Sequence, residues 1–125
     1  MKNEVQERES LLNKISKYCI DQNKIRSFDN NWTRIITPVL DRHNDYFDVY
    51  VRTTESGFEI TDDRYTITDT EMSVFVDDAI ISKILGFHRV DRDGDSLVVN
   101  VTEDNFYEGL MNLLFAMRKI SNWGD

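Results

Sequence analysis

The stretch YFDVYVR, residues 46–52, alternates apolar and polar or amphipathic side chains over its whole length. One face of the extended chain carries Phe47, Val49 and Val51. The other face carries the remaining four residues: Tyr46, Asp48, Tyr50 and Arg52. This period of two predicts a half-buried strand of an antiparallel sheet, because successive strand side chains point to opposite faces.

The flanking segments extend this sheet. Residues 32–40 (WTRIITPVL) predict a strand, and Pro38 places its end at an edge or a bulge because proline cannot donate to a strand ladder. Turn signals at 55–57 and 62–64 precede 58–61 and 65–67, which predicts a three-strand antiparallel meander. Residues 87–91 and 96–102 predict two further strands joined through Asp93 and Gly94.

Helical periodicity dominates the two ends of the sequence. An N-terminal helix from about 4 to 21 is predicted from a stripe of apolar residues: Val5, Leu11, Leu12, Ile15, Tyr18 and Cys19. The final helix has an apolar face that the next residues widen: Phe106, Leu110, Leu113, Leu114, Met117 and Ile120, then Tyr107, Met111 and Phe115. We expect Thr102 or Asp104 to cap it.

Shorter helical signals lie in the middle of the chain. Asp69 occupies the position of an N-cap before a short polar helix or turn. Asp77 and Asp78 precede a short helix over 79–85, which Gly86 ends. The predicted fold is therefore α+β, with a single domain over 4–122. We expect an antiparallel sheet of about five strands, long N- and C-terminal helices packed on one face, and a short central helix near a rim.

Acidic residues are concentrated between Asp41 and Glu108, a segment that we call the acidic band. It holds 17 carboxylates against 6 basic side chains, a net charge of -11 in a chain whose total is -8. Such a field disfavours direct nucleic-acid binding, which depends on cations that displace the counterions of the polyanion. It favours a basic protein partner, or serves solubility alone.

Other properties of the sequence indicate the compartment. The N-terminus is polar and lacks the apolar region of a secretory signal, and no apolar run approaches the length of a membrane span. The single cysteine, Cys19, fits a reducing environment and a buried packing role. We therefore expect a cytoplasmic protein with no membrane partner.

Two strings in the sequence resemble a known family. They are ITPVLDRHNDY at 36–46 and ITDDRYTITD at 60–69, followed by a short helix, a hairpin, the pair Asn105-Phe106 and a long apolar helix. Over roughly residues 32–122 this arrangement resembles the bacterial and phage family catalogued as domain of unknown function 1828. The resemblance implies a setting in prophages and mobile elements of low-GC Gram-positive bacteria, but it supplies no activity to carry over to this chain. Arg64 stands where the family has a glycine. If Arg64 keeps a positive φ, the substitution costs on the order of 1 kcal/mol.

Chemical motifs in the acidic band are weak. Asp45, Glu59 and His43 could build a metal-dependent hydrolase site of the nuclease type, yet no lysine lies between Lys24 and Lys83 to complete the usual nuclease pattern. The segment Asp91–Asp95 lacks the glycine and glutamate spacing of a calcium loop. We assign no catalytic residue, no metal ligand and no cofactor.

Tyrosines interleaved with carboxylates instead indicate an interaction surface, since aromatic rings supply contact area and carboxylates pair with Arg or Lys. The leading hypothesis is a non-enzymatic phage or mobile-element protein. It would act as an acidic DNA mimic that inhibits a bacterial nucleic-acid-binding defence protein of the CRISPR or restriction type. The alternatives are the metal-dependent hydrolase and a structural module that forms a homodimer through its sheet. The predicted partner-binding residues are Asp41, His43, Asp45, Tyr46, Asp48, Tyr50, Glu59, Asp62, Asp63, Tyr65, Asp69, Glu71, Asp77 and Asp78.

Overall fold

Antiparallel strands form a single sheet in the computed structural model, which describes residues 25–27 and 31–124. In chain order the elements of this part are β1 (Ile25–Ser27), β2 (Thr33–Leu40), β3 (Tyr46–Thr53), β4 (Phe58–Thr61), α1 (Tyr65–Glu71), α2 (Asp78–His88), β5 (Asp91–Asp93), β6 (Ser96–Val101) and α3 (Phe106–Ser121). The strands lie in the order β1-β2-β3-β4-β6-β5. The α+β prediction is confirmed, but the described residues form six strands and three helices. The predicted N-terminal helix over 4–21 lies outside the described residues.

The apolar side chains of β3 face the core, as their alternation in the sequence predicted. Phe47, Val49 and Val51 are buried. Helix α3 crosses this side of the sheet, in contact with β2, β4 and β6. Its six predicted core positions, from Phe106 to Ile120, are all buried. The prediction that Tyr107 and Phe115 extend this buried face is wrong, since their side chains are 43% and 50% exposed. The buried face of the helix is therefore narrower than the apolar pattern indicated.

A glycine sets the distance between α3 and the sheet. A Cβ placed on Gly109 would lie 2.1 Å from Cγ1 of Val101 in β6. No ordinary side chain fits there, so Gly109 lets the first turns of α3 lie directly on the strand.

The prediction of a bulge or edge near Pro38 is also confirmed. The register between β2 and β3 shifts between Ile36 and Leu40. Within this irregular stretch the buried hydroxyl of Thr37 donates to the carbonyl of Phe47 at 2.9 Å. A side chain thus takes the place of a ladder bond that the proline cannot supply.

The predicted third strand of the meander, residues 65–67, is wrong. These residues begin α1, and Asp69 lies inside that helix rather than at its N-cap. Asp63 and Arg64 have φ values of 54° and 71°, so the chain turns sharply after β4 instead of continuing into a hairpin. Thr66, Ile67 and Thr70 then form the buried stripe of the helix. Tertiary packing has overridden the strand preference of β-branched residues.

The boundaries of the second helix and of its neighbouring strand also differ from the prediction. The helix begins at Asp78, and Asp77 is its N-cap, with a side chain that accepts from the amide of Ala79 at 2.7 Å. The helix passes through Gly86 to His88, and Arg89 takes the left-handed conformation at its end, with a φ of 59°. Residues 87 and 88 are therefore helical, and the strand is confined to Asp91–Asp93.

The N-terminus of α3 is built differently from the prediction. Asn105 is the N-cap, and neither Thr102 nor Asp104 holds that position. The Oδ1 atom of Asn105 accepts from the amide of Thr102 at 2.7 Å and from its hydroxyl at 3.0 Å. Asn105 therefore fixes the preceding turn rather than the first turn of the helix.

Candidate interaction surface

The loop between β2 and β3 is organised around Asp41, which is only 5% exposed. Its Oδ1 atom accepts from the amides of His43 at 2.8 Å and Asp45 at 3.0 Å. The amide of Asp41 also donates to the carbonyl of Asp45 at 2.8 Å, and Asn44 has a left-handed φ of 63°. An aspartate side chain that accepts hydrogen bonds from the backbone amides that follow it forms an Asx turn, and Asp41 forms one here.

The turn between β4 and α1 is organised in the same way around Asp62, which is fully buried. Its Oδ1 atom accepts from the amides of Arg64 at 3.1 Å and Leu97 at 2.9 Å. Its Oδ2 atom accepts from the amide of Thr66 at 3.0 Å, in the first turn of α1. One carboxylate thus holds the turn, the helix N-terminus and β6 together, and satisfies amides that would otherwise be orphaned.

These two segments, 41–45 and 62–69, are bonded to each other, and we call them together the loop–turn surface. The hydroxyl of Tyr65 donates to Oδ2 of Asp41. The ring of His43 lies 3.1 Å from a carboxylate oxygen of Asp69. The Tyr65 ring also stands edge-on to Phe47, with centroids 6.3 Å apart. The two strings that carry the family resemblance therefore meet in space.

Burial and hydrogen bonding act in opposite directions on the two buried carboxyls. At Asp41 burial opposes ionisation, but the hydroxyl of Tyr65 and the backbone amides outweigh it and lower its pKa. At Asp62 burial prevails over its backbone donors and raises its pKa. Burial, followed by the adjacent Asp41 carboxylate, raises the pKa of Tyr65, so its phenol keeps the proton that it donates.

The remaining predicted residues of the loop–turn surface are accessible. Asp45 and Asp63 are exposed, and neither forms an ion pair with another described residue. Asp69 is partly exposed beside His43. Tyr46 and Tyr65 flank them at 57% and 37% exposure. This end of the molecule therefore presents carboxylates and tyrosine rings on a backbone that two buried aspartates hold in place.

The sheet face that carries Asp48, Tyr50 and Glu59 is different, because its acids are paired with arginines. Asp48 accepts from Arg34, with a shortest distance of 2.8 Å, and Glu59 accepts from Arg52 at 2.7 Å. Tyr50 lies half-buried between these pairs, and burial raises its pKa, with Asp48 adding to the effect. Asp48, Tyr50 and Glu59 therefore contribute area and hydrogen bonds, but little net charge.

The last predicted residues lie around α2. Glu71 is exposed at the end of α1. Asp77 is exposed and caps α2, while Asp78 pairs with Arg92 at 3.1 Å. The predicted residues thus fall into three separate settings. Asp41 and Asp62 are set apart from the other predicted residues, since both carboxylates are buried and accept hydrogen bonds from backbone amides.

Sequence reasoning missed the arginines that neutralise the sheet face and the buried roles of Asp41 and Asp62. The pairs Arg34–Asp48 and Arg52–Glu59 depend on strand register, which the geometry of the connecting turns sets and which the alternation within one strand does not reveal. The buried role of Asp41 could have been suspected from the sequence, because an aspartate in a turn often accepts a hydrogen bond from the backbone amide two residues later.

The described residues were also searched for metal-binding groups and for membrane-spanning helices. Within 25–27 and 31–124, no three His, Cys, Asp or Glu side chains are grouped to hold a metal ion. The trio of His43, Asp45 and Glu59 considered for a hydrolase therefore does not form such a group, and in the structure His43 contacts Asp69 while Glu59 contacts Arg52. None of the helices in the described part combines the length and apolar character needed to cross a membrane.

In the described residues, the fold and the surface define an α+β protein that presents carboxylates from a loop and a turn held in place by buried aspartates. The profile of the family described as Domain of unknown function DUF1828 matches residues 37–120, and the chain belongs to this family. The resemblance carried by the two strings is thereby confirmed. No curated protein and no solved structure matches the chain.

Proposed function

We propose that this protein is a non-enzymatic interaction protein of a phage or mobile element, whose loop–turn surface occupies the nucleic-acid groove of a basic partner. The partner class is a bacterial defence protein of the CRISPR or restriction type, for which the carboxylates replace DNA phosphates. The observation that carries this proposal is the exposure of Asp45 and Asp63 on backbone segments that buried Asp41 and Asp62 hold in place. Bracing supports affinity because a preorganised surface loses little conformational entropy on binding.

Charge complementarity supports the same partner class. Asp45 and Asp63 lie within a segment of net charge -11. Long-range attraction from such a segment speeds encounter with a cationic groove and weakens with salt. The tyrosines beside these carboxylates add contact area of the kind found at binding hot spots.

The test uses the full chain, immobilised and exposed to a host lysate that has been freed of nucleic acid. We expect a retained basic protein to elute with rising salt and to be displaced by added duplex DNA. Neutralising the surface with Asp45→Asn and Asp63→Asn should weaken retention at least about threefold, since each rim charge contributes up to about 1 kcal/mol.

The control is Asp91→Asn with Asp93→Asn, which makes the same change of charge on exposed residues of the edge strand β5. This control should retain the partner as the unmodified chain does. If neither rising salt nor added duplex DNA releases the retained partner, the protein is not a DNA mimic. If both double variants lose retention equally, the binding depends on overall charge and not on the loop–turn surface.

A further inference from the structure

The helix layer exposes large apolar side chains that the fold does not use. Met72 is 82% exposed and Phe75 is 86% exposed, both in the segment between α1 and α2. On the same layer Phe87 is 82% exposed and Phe115 is 50% exposed. Grouped exposed apolar side chains of this size mark interaction surfaces more often than isolated ones do.

A groove lies between the end of α2 and the C-terminal end of α3. Its lining includes His88, Phe115, Arg118, Lys119 and Trp123, with no carboxylate from the described residues. The His88 ring contacts Phe87 with centroids 5.0 Å apart, and Phe115 lies 6.3 Å from His88. The groove is therefore aromatic with a cationic rim, on a chain whose net charge is -8.

The segment 72–76 borders this groove; it is itself uncharged, but an acidic residue lies next to each of its ends. A Cβ on Gly124, which lines the groove, would lie 3.6 Å from Cγ1 of Val74. Glu71 and Asp77, at the two ends of the segment, are exposed. An apolar segment with acidic ends and an aromatic groove with a cationic rim thus lie side by side on one molecule.

We infer that a second copy of this chain covers this surface. Phe75 and Met72 of each copy enter the groove of the other, and Glu71 and Asp77 face Arg118 and Lys119 across the interface. A two-fold arrangement satisfies both halves at once, since each copy offers the same segment and the same groove. This interface uses the helix layer rather than the sheet, and it involves none of the residues on which the proposed function rests.

Sedimentation velocity over a concentration series tests the interface with the full chain. The unmodified protein is expected to dimerise, and Phe75→Ser is expected to raise the dimer Kd by about tenfold or more, as truncating an aromatic anchor does. Because Phe75 is 86% exposed, its replacement leaves the core intact. The matched control is Tyr46→Ser, at a side chain 57% exposed outside the helix layer, and its Kd should stay within about twofold.

A charge exchange identifies the facing groups. One variant carries Glu71→Lys with Asp77→Asn, which keeps a capping side chain, and the other carries Arg118→Glu with Lys119→Glu. Each variant alone should dimerise about tenfold more weakly, and an equimolar mixture should restore the dimer as a heterodimer. A monomer throughout, up to about 200 µM, would overturn the inference, since that concentration corresponds to a binding free energy weaker than about -5 kcal/mol. A dimer insensitive to Phe75→Ser, or variants that the mixture does not rescue, would overturn it equally.

Discussion

Replacing Arg64 by glycine should stabilise this protein. Arg64 has φ 71° and ψ 0°, a left-handed conformation that places its Cβ against the following carbonyl. That conformation costs a residue with a side chain about 1–2 kcal/mol. Glycine removes this cost but adds about 0.5–1 kcal/mol of conformational entropy to the unfolded chain. The net expectation is a gain of about 0.5–1 kcal/mol in the free energy of unfolding, or about 2–4 °C in Tm for a chain of this size.

The comparison with Arg64→Ala separates backbone relief from loss of the side chain. Alanine keeps the strained φ and removes the exposed guanidinium, so its unfolding free energy should stay within about 0.5 kcal/mol of the unmodified protein. Both variants retain the amide that donates to Asp62 at 3.1 Å. Urea unfolding followed by circular dichroism measures all three proteins. If Arg64→Gly is no more stable than Arg64→Ala, the argument from backbone strain is wrong.

Two further predictions concern packing and ionisation. Gly109→Ala should lower the free energy of unfolding by about 1–2 kcal/mol, because the contact at 2.1 Å with Val101 costs more than the gain in helix propensity. Gly86→Ala, also helical but with no atom within 4 Å of the new Cβ, should instead gain up to about 1 kcal/mol, and equal stabilities in urea unfolding would contradict this account. The pKa of Asp41 is lowered, so its contribution to stability over Asp41→Asn should be present above the ordinary pKa of 3.8 and be lost as the pH falls below it. The pKa of Asp62 is raised, so its contribution relative to Asp62→Asn should be present below 3.8 and be lost as the pH rises through the raised pKa. Urea unfolding from about pH 3 to pH 7 measures both differences, and parallel pH profiles for the two variants would refute the opposite signs.

Local periodicity was sufficient to predict which side chains are buried in β3 and α3. The alternation in 46–52 predicted the buried face of β3, and the apolar stripe from Phe106 to Ile120 predicted the buried face of α3. Pro38 predicted the irregular end of β2 because its missing N–H is a property of the residue itself. The same reasoning failed at 65–67, where Thr66 and Ile67 favour a strand but pack as a helix.

The candidate surface was predicted in part. Asp63 lies in the turn predicted at 62–64, and it is exposed in the structure. The neutralisation of Asp48 and Glu59 was not predicted, because each arginine partner lies on a neighbouring strand and the pairing depends on the geometry of the turn between the strands. The charge of the acidic band therefore overstates the negative field on the sheet.

The sequence by itself determined the α+β class, the faces of β3 and α3, the family and the concentration of carboxylates between Asp41 and Glu108. These depend on composition and on the fixed periods of strand and helix, which are local properties. Only the tertiary structure decided which carboxylates face solvent, since Asp62 meets Leu97 across 35 positions in the sequence and Tyr65 meets Asp41 across 24. Contacts between distant positions depend on strand order and register, and the packing of the whole core selects both.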